Sequence, residues 1–117
     1  MAGEPHGKGV ERASGNMYKG QFEHGRRQGE GTENYADGRA YEGEWRDGQK
    51  HGSGTYSQAD GSVYDGDWLD GQKEGHGTED YADGSTYDGA WAQSVKQGEG
   101  KFTTAEGTVY EGELGMT

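Results

Sequence analysis

The residues able to do chemistry in this 117-residue chain are four histidines, twenty-two acids and a recurring Gly-x-Gly. His6, His24, His51 and His76 could ligate a transition metal if they converged. Glu42, Glu44, Asp65, Asp67, Asp88, Glu111 and Glu113 alternate along short segments and could offer oxygens to Ca²⁺. A Gly-x-Gly could cradle phosphate, but only where a helix begins just after it. None of these completes a site. The histidines fall at different places in the local pattern and form no column. The acids lack the ligand loop of an EF-hand, and a solvated face accounts for them. No nucleophile elbow, P-loop or catalytic carboxylate pair is present. The sequence therefore predicts no catalytic residue, no metal site and no cofactor, and hence no enzyme.

The pattern that holds these residues is a repeat. Tyr18-Lys19-Gly20-Gln21-Phe22 returns as Tyr41-Glu42-Gly43-Glu44-Trp45, Tyr64-Asp65-Gly66-Asp67-Trp68, Tyr87-Asp88-Gly89-Ala90-Trp91 and Tyr110-Glu111-Gly112-Glu113-Leu114, every 23 residues. A fixed period of this size means stacked units, none able to bury its apolar face alone. Counting from each Tyr, position 3 is Gly, 5 aromatic, 8 Gly, 12 and 14 Gly, 20 acidic and 21 Gly. Ser94 departs at position 8 of the fourth unit. Positions 1 to 5 alternate as a strand with two unlike faces should, with Tyr, Gly and Trp on one side. Asp47-Gly48 and Asp70-Gly71 open a turn of about four residues. A second strand follows from position 12 to about 17, as in Gly52–Ser57, and Ala-Asp-Gly closes it. Loop arithmetic sets position 5 opposite 12 and position 3 opposite 14 within the hairpin, laying the Trp ring over a glycine.

Composition agrees with a thin sheet. Hydrophobic residues are 26%, Ile is absent, and the apolar material is mainly eight Tyr, three Trp and two Phe. There is no Cys, so no disulfide and no thiolate metal site. Met1 to Gly9 is polar, and no apolar run approaches the ~18 residues of a membrane span. The net charge of −11 is uneven: residues 1–50 carry 8 basic against 9 acidic side chains, residues 51–117 carry 3 against 13. That balance excludes nucleic acid, which needs a basic stripe. It favours a protein or peptide partner with basic residues. The basic residues Lys8, Arg12, Lys19, Arg26, Arg27, Arg39, Arg46 and Lys50 are interleaved with acids, so weak or no membrane binding is expected.

The expected organisation is an N-terminal polar segment with a degenerate half-repeat (1–17), four repeats (18–40, 41–63, 64–86, 87–109) and a C-terminal half-repeat (110–117). The fold class is all-β: an elongated, curved, single-layer antiparallel sheet of tandem hairpins. The phrase Y-x-G-x-W-x-x-G-x-x-x-G-x-G-x-x-x-x-x-D-G over 41–61 and 64–84 resembles the MORN repeat (membrane occupation and recognition nexus). The resemblance covers 18–117 well and 5–17 weakly. It implies a curved antiparallel sheet with an aromatic-lined groove and a scaffold or adaptor role near membranes or the cytoskeleton; the expected setting is cytoplasmic, with which the absence of Cys is compatible. The resemblance brings no catalytic residues.

The expected function is a non-catalytic protein-interaction scaffold. The candidate contact residues are the aromatic face: Tyr18, Phe22, Tyr41, Trp45, Tyr64, Trp68, Tyr87, Trp91 and Tyr110. The alternatives are a phospholipid-directed targeting module, or a regulatory repeat region of a larger enzyme such as a lipid kinase or methyltransferase. The strand at 110–114 is an open edge, and self-association or strand addition is expected there.

Overall fold

A computed structural model describes residues 6–113. It consists of ten strands: β1 (Gly7–Ala13), β2 (Asn16–Glu23), β3 (Arg26–Asn34), β4 (Ala40–Arg46), β5 (Gln49–Ser57), β6 (Val63–Leu69), β7 (Gln72–Asp80), β8 (Thr86–Ala92), β9 (Val95–Thr103) and β10 (Val109–Glu113). Leu114, the last residue of the expected edge strand, lies outside the described residues. The strands form one open antiparallel sheet in sequence order. Its extents of 56 × 24 × 19 Å are those of an elongated single layer.

Each repeat is a hairpin closed by two residues at positive φ, such as Asp47 (50°) and Gly48 (83°). Two positive φ values define a type I′ turn, whose twist matches that of the strands. The turn is thus two residues, shorter than the sequence arithmetic assumed. Gln93 (50°) and Ser94 (66°) adopt the same geometry without glycine. The fourth turn is therefore regular, and the Ser94 hydroxyl accepts the Lys73 N–H at 3.1 Å. Turns also dock on the preceding unit: the N–H groups of Gly48, Gly71 and Ser94 donate to the carbonyls of Arg27, Lys50 and Lys73 at 2.9–3.0 Å.

One register expectation holds and one does not. Position 3 faces position 14, as in Gly43↔Gly54 and Gly66↔Gly77. Position 5 does not face position 12 of its own hairpin. Trp45 pairs with Lys50 and Trp68 with Lys73, because the register shifts between positions 3 and 5. The shift is a bulge: Gly52 and Gly75, at position 12, take φ of 67° and 85°. Trp45 and Trp68 instead stand opposite the position-12 glycine of the preceding unit, Gly29 and Gly52.

Candidate interaction face

The core is a single ladder of rings. Tyr18, Phe22, Tyr41, Trp45, Tyr64, Trp68, Tyr87 and Trp91 are all buried. Tyr41 and Tyr64 each meet the Trp of their own unit and of the next, edge to face, while Tyr18 meets Phe22 and Trp45, and Tyr87 meets Trp91. Tyr41–Trp45 is 5.1 Å at 87°, and Tyr41–Trp68 is 5.4 Å at 86°. Tyr64–Trp68 and Tyr64–Trp91 repeat the pattern at 5.2 Å. Such pairs add about 0.5–1.5 kcal/mol each beyond burial. The ladder thereby ties hairpin to hairpin, which a single-layer sheet cannot do with a second layer.

Both polar tips are satisfied by backbone. The Tyr hydroxyls donate to the carbonyl of position 4: Tyr18 to Gln21 (2.9 Å), Tyr41 to Glu44 (2.8 Å), Tyr64 to Asp67 (2.9 Å) and Tyr87 to Ala90 (3.1 Å). To reach it, the Tyr ring crosses the glycines at positions 3 and 14. A Cβ on Gly54 would collide with the Tyr41 hydroxyl and ring, and one on Gly77 with those of Tyr64. It is Tyr, then, that covers a strand glycine, and not the Trp of position 5. The Trp Nε1–H reaches back one unit: Trp45 to Gly31 O (3.0 Å), Trp68 to Gly54 O (3.1 Å), Trp91 to Gly77 O (3.1 Å).

Eight of the nine expected contact residues are therefore core. Tyr110 differs, at 54% exposure against 0–1% for Tyr18, Tyr41, Tyr64 and Tyr87. What the aromatic face shows to solvent is a second tier above the ladder: Tyr35, Tyr56, Tyr81 and Phe102, all partly buried. Among them runs a row of cations at position 10, namely Arg27, Lys50, Lys73 and Lys96. Arg27 lies over Tyr18 at 4.5 Å, Lys73 over Trp91 at 4.9 Å, and Lys96 over Tyr81 at 4.9 Å. Lys50 has Tyr35, Tyr41, Trp45, Tyr56 and Trp68 within 5.5–5.9 Å. These are cation–π distances.

The row alternates. Arg27 is paired with Glu33 (2.8 Å) and Lys73 with Glu79 (3.4 Å), both carboxylates being buried at position 16. The second and fourth units carry Tyr56 and Phe102 there instead. Lys50 and Lys96 have no carboxylate within 4.0 Å among the described residues. Burial accordingly depresses the Lys50 pKa, with Arg39 and Arg27 adding to it and Glu33 opposing. Burial raises the pKa of Tyr35, Tyr41 and Tyr64, helped by Glu33, Glu44 and Asp67 respectively. Tyr81 is pushed up to about 12 by burial and the charge of Glu79.

The opposite face carries the acids, and part of that stripe is structural. At position 4 the side-chain oxygens of Gln21, Glu44 and Asp67 accept the N–H of position 13: Glu30 (2.8 Å), Ser53 (3.3 Å) and His76 (3.3 Å). They close the bulge. Ala90 offers Glu99 no such acceptor. Asp88 pairs with His76 at 2.8 Å and Thr55 donates to Asp65 at 3.3 Å. This face holds a shallow trough of about 760 Å³, lined by Lys8, Val10, Lys19, Gln21, Thr32 and Glu42 among others. Among the described residues no group of His and acids is placed to hold a metal ion. No helix among them is long and apolar enough to cross a membrane.

An open sheet of stacked hairpins, each completed by its neighbour's rings, defines a repeat protein of solenoid type. The MORN repeat profile matches residues 1–17, 18–38, 41–63, 64–86 and 87–109, and the chain belongs to the MORN-repeat family. Such repeats commonly serve protein or membrane interactions and are in general non-catalytic modules. The comparison with curated protein sequences finds no match.

Proposed function

We propose that this array is a non-catalytic protein-interaction module that receives a protein or peptide on the upper tier of its aromatic face. The observation that carries the reading is the row Tyr35, Tyr56, Tyr81 and Phe102, packed on the ladder and only partly buried. Aromatic rings held rigid by their neighbours make contact area at low entropic cost. The charge of residues 51–117, net −10, would draw in a partner carrying basic residues.

A random peptide library selected on the immobilised chain tests this. Binders should be lost in Tyr56→Ser and Tyr81→Ser while the circular dichroism is unchanged. Binders indifferent to both substitutions refute the reading.

A second reading, phospholipid direction, is favoured by one observation: Lys8 and Lys19 line the trough on the polar face. Vesicles containing phosphatidylserine are expected to bind weakly or not at all at physiological salt, because the net charge of −11 opposes an anionic surface. Co-sedimentation abolished by Lys8→Ala with Lys19→Ala would promote this reading over the first.

A further inference from the structure

The cation row on the aromatic face is matched by the chain's own acids in alternate units only. Where position 16 is a carboxylate, the cation of position 10 is paired and largely covered. Lys73 meets Glu79 at 3.4 Å and its side chain is 14% exposed; Arg27 meets Glu33 at 2.8 Å. In the second unit Tyr56 stands at position 16. Lys50 Nζ there has rings around it and no carboxylate within 4.0 Å among the described residues. A second positive charge joins it. Arg39 lies over the Tyr35 ring at 4.4 Å, where Lys50 stands at 5.5 Å, and donates to the Tyr56 hydroxyl at 3.0 Å. Asp37 pairs with Arg39 through Nε, at 2.8 Å, and is itself exposed. We infer that Lys50, with Arg39 beside it, is the anchor point for a carboxylate side chain, Asp or Glu, of a protein partner, an inference that rests on the partner occupying this face as proposed above.

Desolvation sets the requirement. A partner laid on Tyr35, Tyr56 and Tyr81 takes water away from Lys50, and a charge removed from water without a counter-charge is costly. Cation–π attraction offsets part of that cost. The rest is visible in the chain alone: burial lowers the Lys50 pKa, and Arg39 and Arg27 lower it further against the pull of Glu33. A carboxylate answers Lys50 and Arg39 together through charge-assisted hydrogen bonds. It supplies from outside what Glu79 supplies to Lys73 from within. An apolar or basic side chain in the same place leaves the ammonium covered and unpaired, so the point selects as well as binds. The partner's basic residues, drawn by the acids of the chain at large, belong elsewhere on its surface. Lys96 repeats the arrangement in the fourth unit, with Phe102 at position 16 and Tyr81 and Tyr87 at 4.9 and 5.5 Å. The residue matching Arg39 there is Ser85, which is uncharged, so Lys50 is the stronger anchor. β5 and β9 are four strand spacings apart, about 19 Å, which an extended segment covers in about six residues. A second acid of the partner belongs at that distance from the first.

Peptides selected on the immobilised chain and lost in Tyr56→Ser are the probe. They should carry an Asp or Glu whose change to Asn or Gln weakens binding at least about tenfold. Lys50→Met keeps the stem among the rings and removes the charge. It should cause a loss of the same size, and the two changes together should cost no more than either alone. Lys50→Arg should restore most of the binding, since Arg27 fills the equivalent place in the first unit. Circular dichroism should stay native in both variants. Tyr56-dependent peptides that carry no acid, or that bind Lys50→Met as tightly as wild type, overturn the inference and leave the aromatic-face reading standing. Peptides indifferent to Tyr56→Ser remove that reading, and the inference with it. A chain whose own sedimentation mass rises with concentration, but no longer does so in Lys50→Met, would give the anchor point to a second copy and overturn the inference as well.

Discussion

Gly54→Ala puts the packing argument under the most direct strain. Gly54 is at position 14, and its missing side chain is the space occupied by the Tyr41 ring. Tyr41 is fully buried between Trp45 and Trp68. A methyl group there leaves two responses. The ring can leave, losing two edge-to-face contacts of about 0.5–1.5 kcal/mol each, a hydrogen bond of about 1 and part of a burial worth about 1.5–3. That route costs about 3–5 kcal/mol in all. Alternatively the strands can splay, an overpacking cost of about 1–3 kcal/mol. The cheaper route sets the expectation, about 2–3 kcal/mol, since Gly43 on the facing strand is in equally close contact and limits the splay. With a denaturant slope of about 2 kcal/mol/M in urea, the midpoint should fall by about 1 M or more. Tryptophan fluorescence reads it directly, because Trp45 and Trp68 flank the ring. A midpoint within about 0.2 M of wild type would refute the claim that Tyr, and not Trp, occupies the glycine pair.

Other outcomes follow from the same geometry. Trp68→Ala should destabilise by about 3 kcal/mol or more, as large aromatic truncations do, and an unchanged denaturation midpoint would contradict its place in the ladder. Ala90→Gln copies the first unit, where Gln21 accepts the N–H of Glu30; it should cap Glu99 and raise the stability by about 0.5–1.5 kcal/mol, with slowed amide exchange at Glu99 as the specific mark. Stability should fall with rising pH above about 10, the ordinary Tyr value. Tyr35, Tyr41, Tyr64 and Tyr81 have raised folded-state pKa values, so the folded chain keeps protons that the unfolded chain releases. Stability present below the unfolded pKa is lost as pH climbs toward the folded one. Ionisation of these four tyrosines, read by tyrosinate absorbance, should therefore accompany the change in circular dichroism, and their ionisation in a still-folded chain would count against the buried ladder.

The period, the two faces and the hairpin were legible because they are written in residue type at fixed spacing. Tyr41, Gly43 and Trp45 alternate, and the structure alternates with them. The bulge was not legible. Gly52 adopts a positive φ that skips the register, but a glycine in a strand looks the same in sequence whether it is extended or bulged. The error in pairing Trp45 with Gly52 came from that and from a turn two residues shorter than assumed. The cation row was present in the letters, as Arg27, Lys50, Lys73 and Lys96, yet beside Asp-Gly these residues resemble ordinary turn polar groups. Glu44 and Asp67 read as solvated acids because a side chain closing onto a neighbouring N–H leaves no trace in spacing. Their marker was the co-occurrence of an acceptor at position 4 with the position-12 glycine, broken only at Ala90.

The alternation at position 16 gives the array a parity. Units one and three carry Arg27 with Glu33 and Lys73 with Glu79; units two and four place Lys50 and Lys96 over the preceding unit's Tyr35 and Tyr81. The odd and even hairpins are complementary halves, and the true period of the side chains is 46 residues. A chain built this way can gain or lose length without conflict only in even steps. Removing 41–86 leaves an odd unit followed by an even one, and the row of charges stays in phase. Removing 41–63 alone sets two odd units side by side. Their buried carboxylates, Glu33 and Glu79, would then stand only two strand spacings apart, about 10 Å, instead of four. Two arrays with the same backbone and the same repeat phrase can thus differ in which lengths they tolerate, and the difference is decided by a tier of side chains that the 23-residue phrase does not mention.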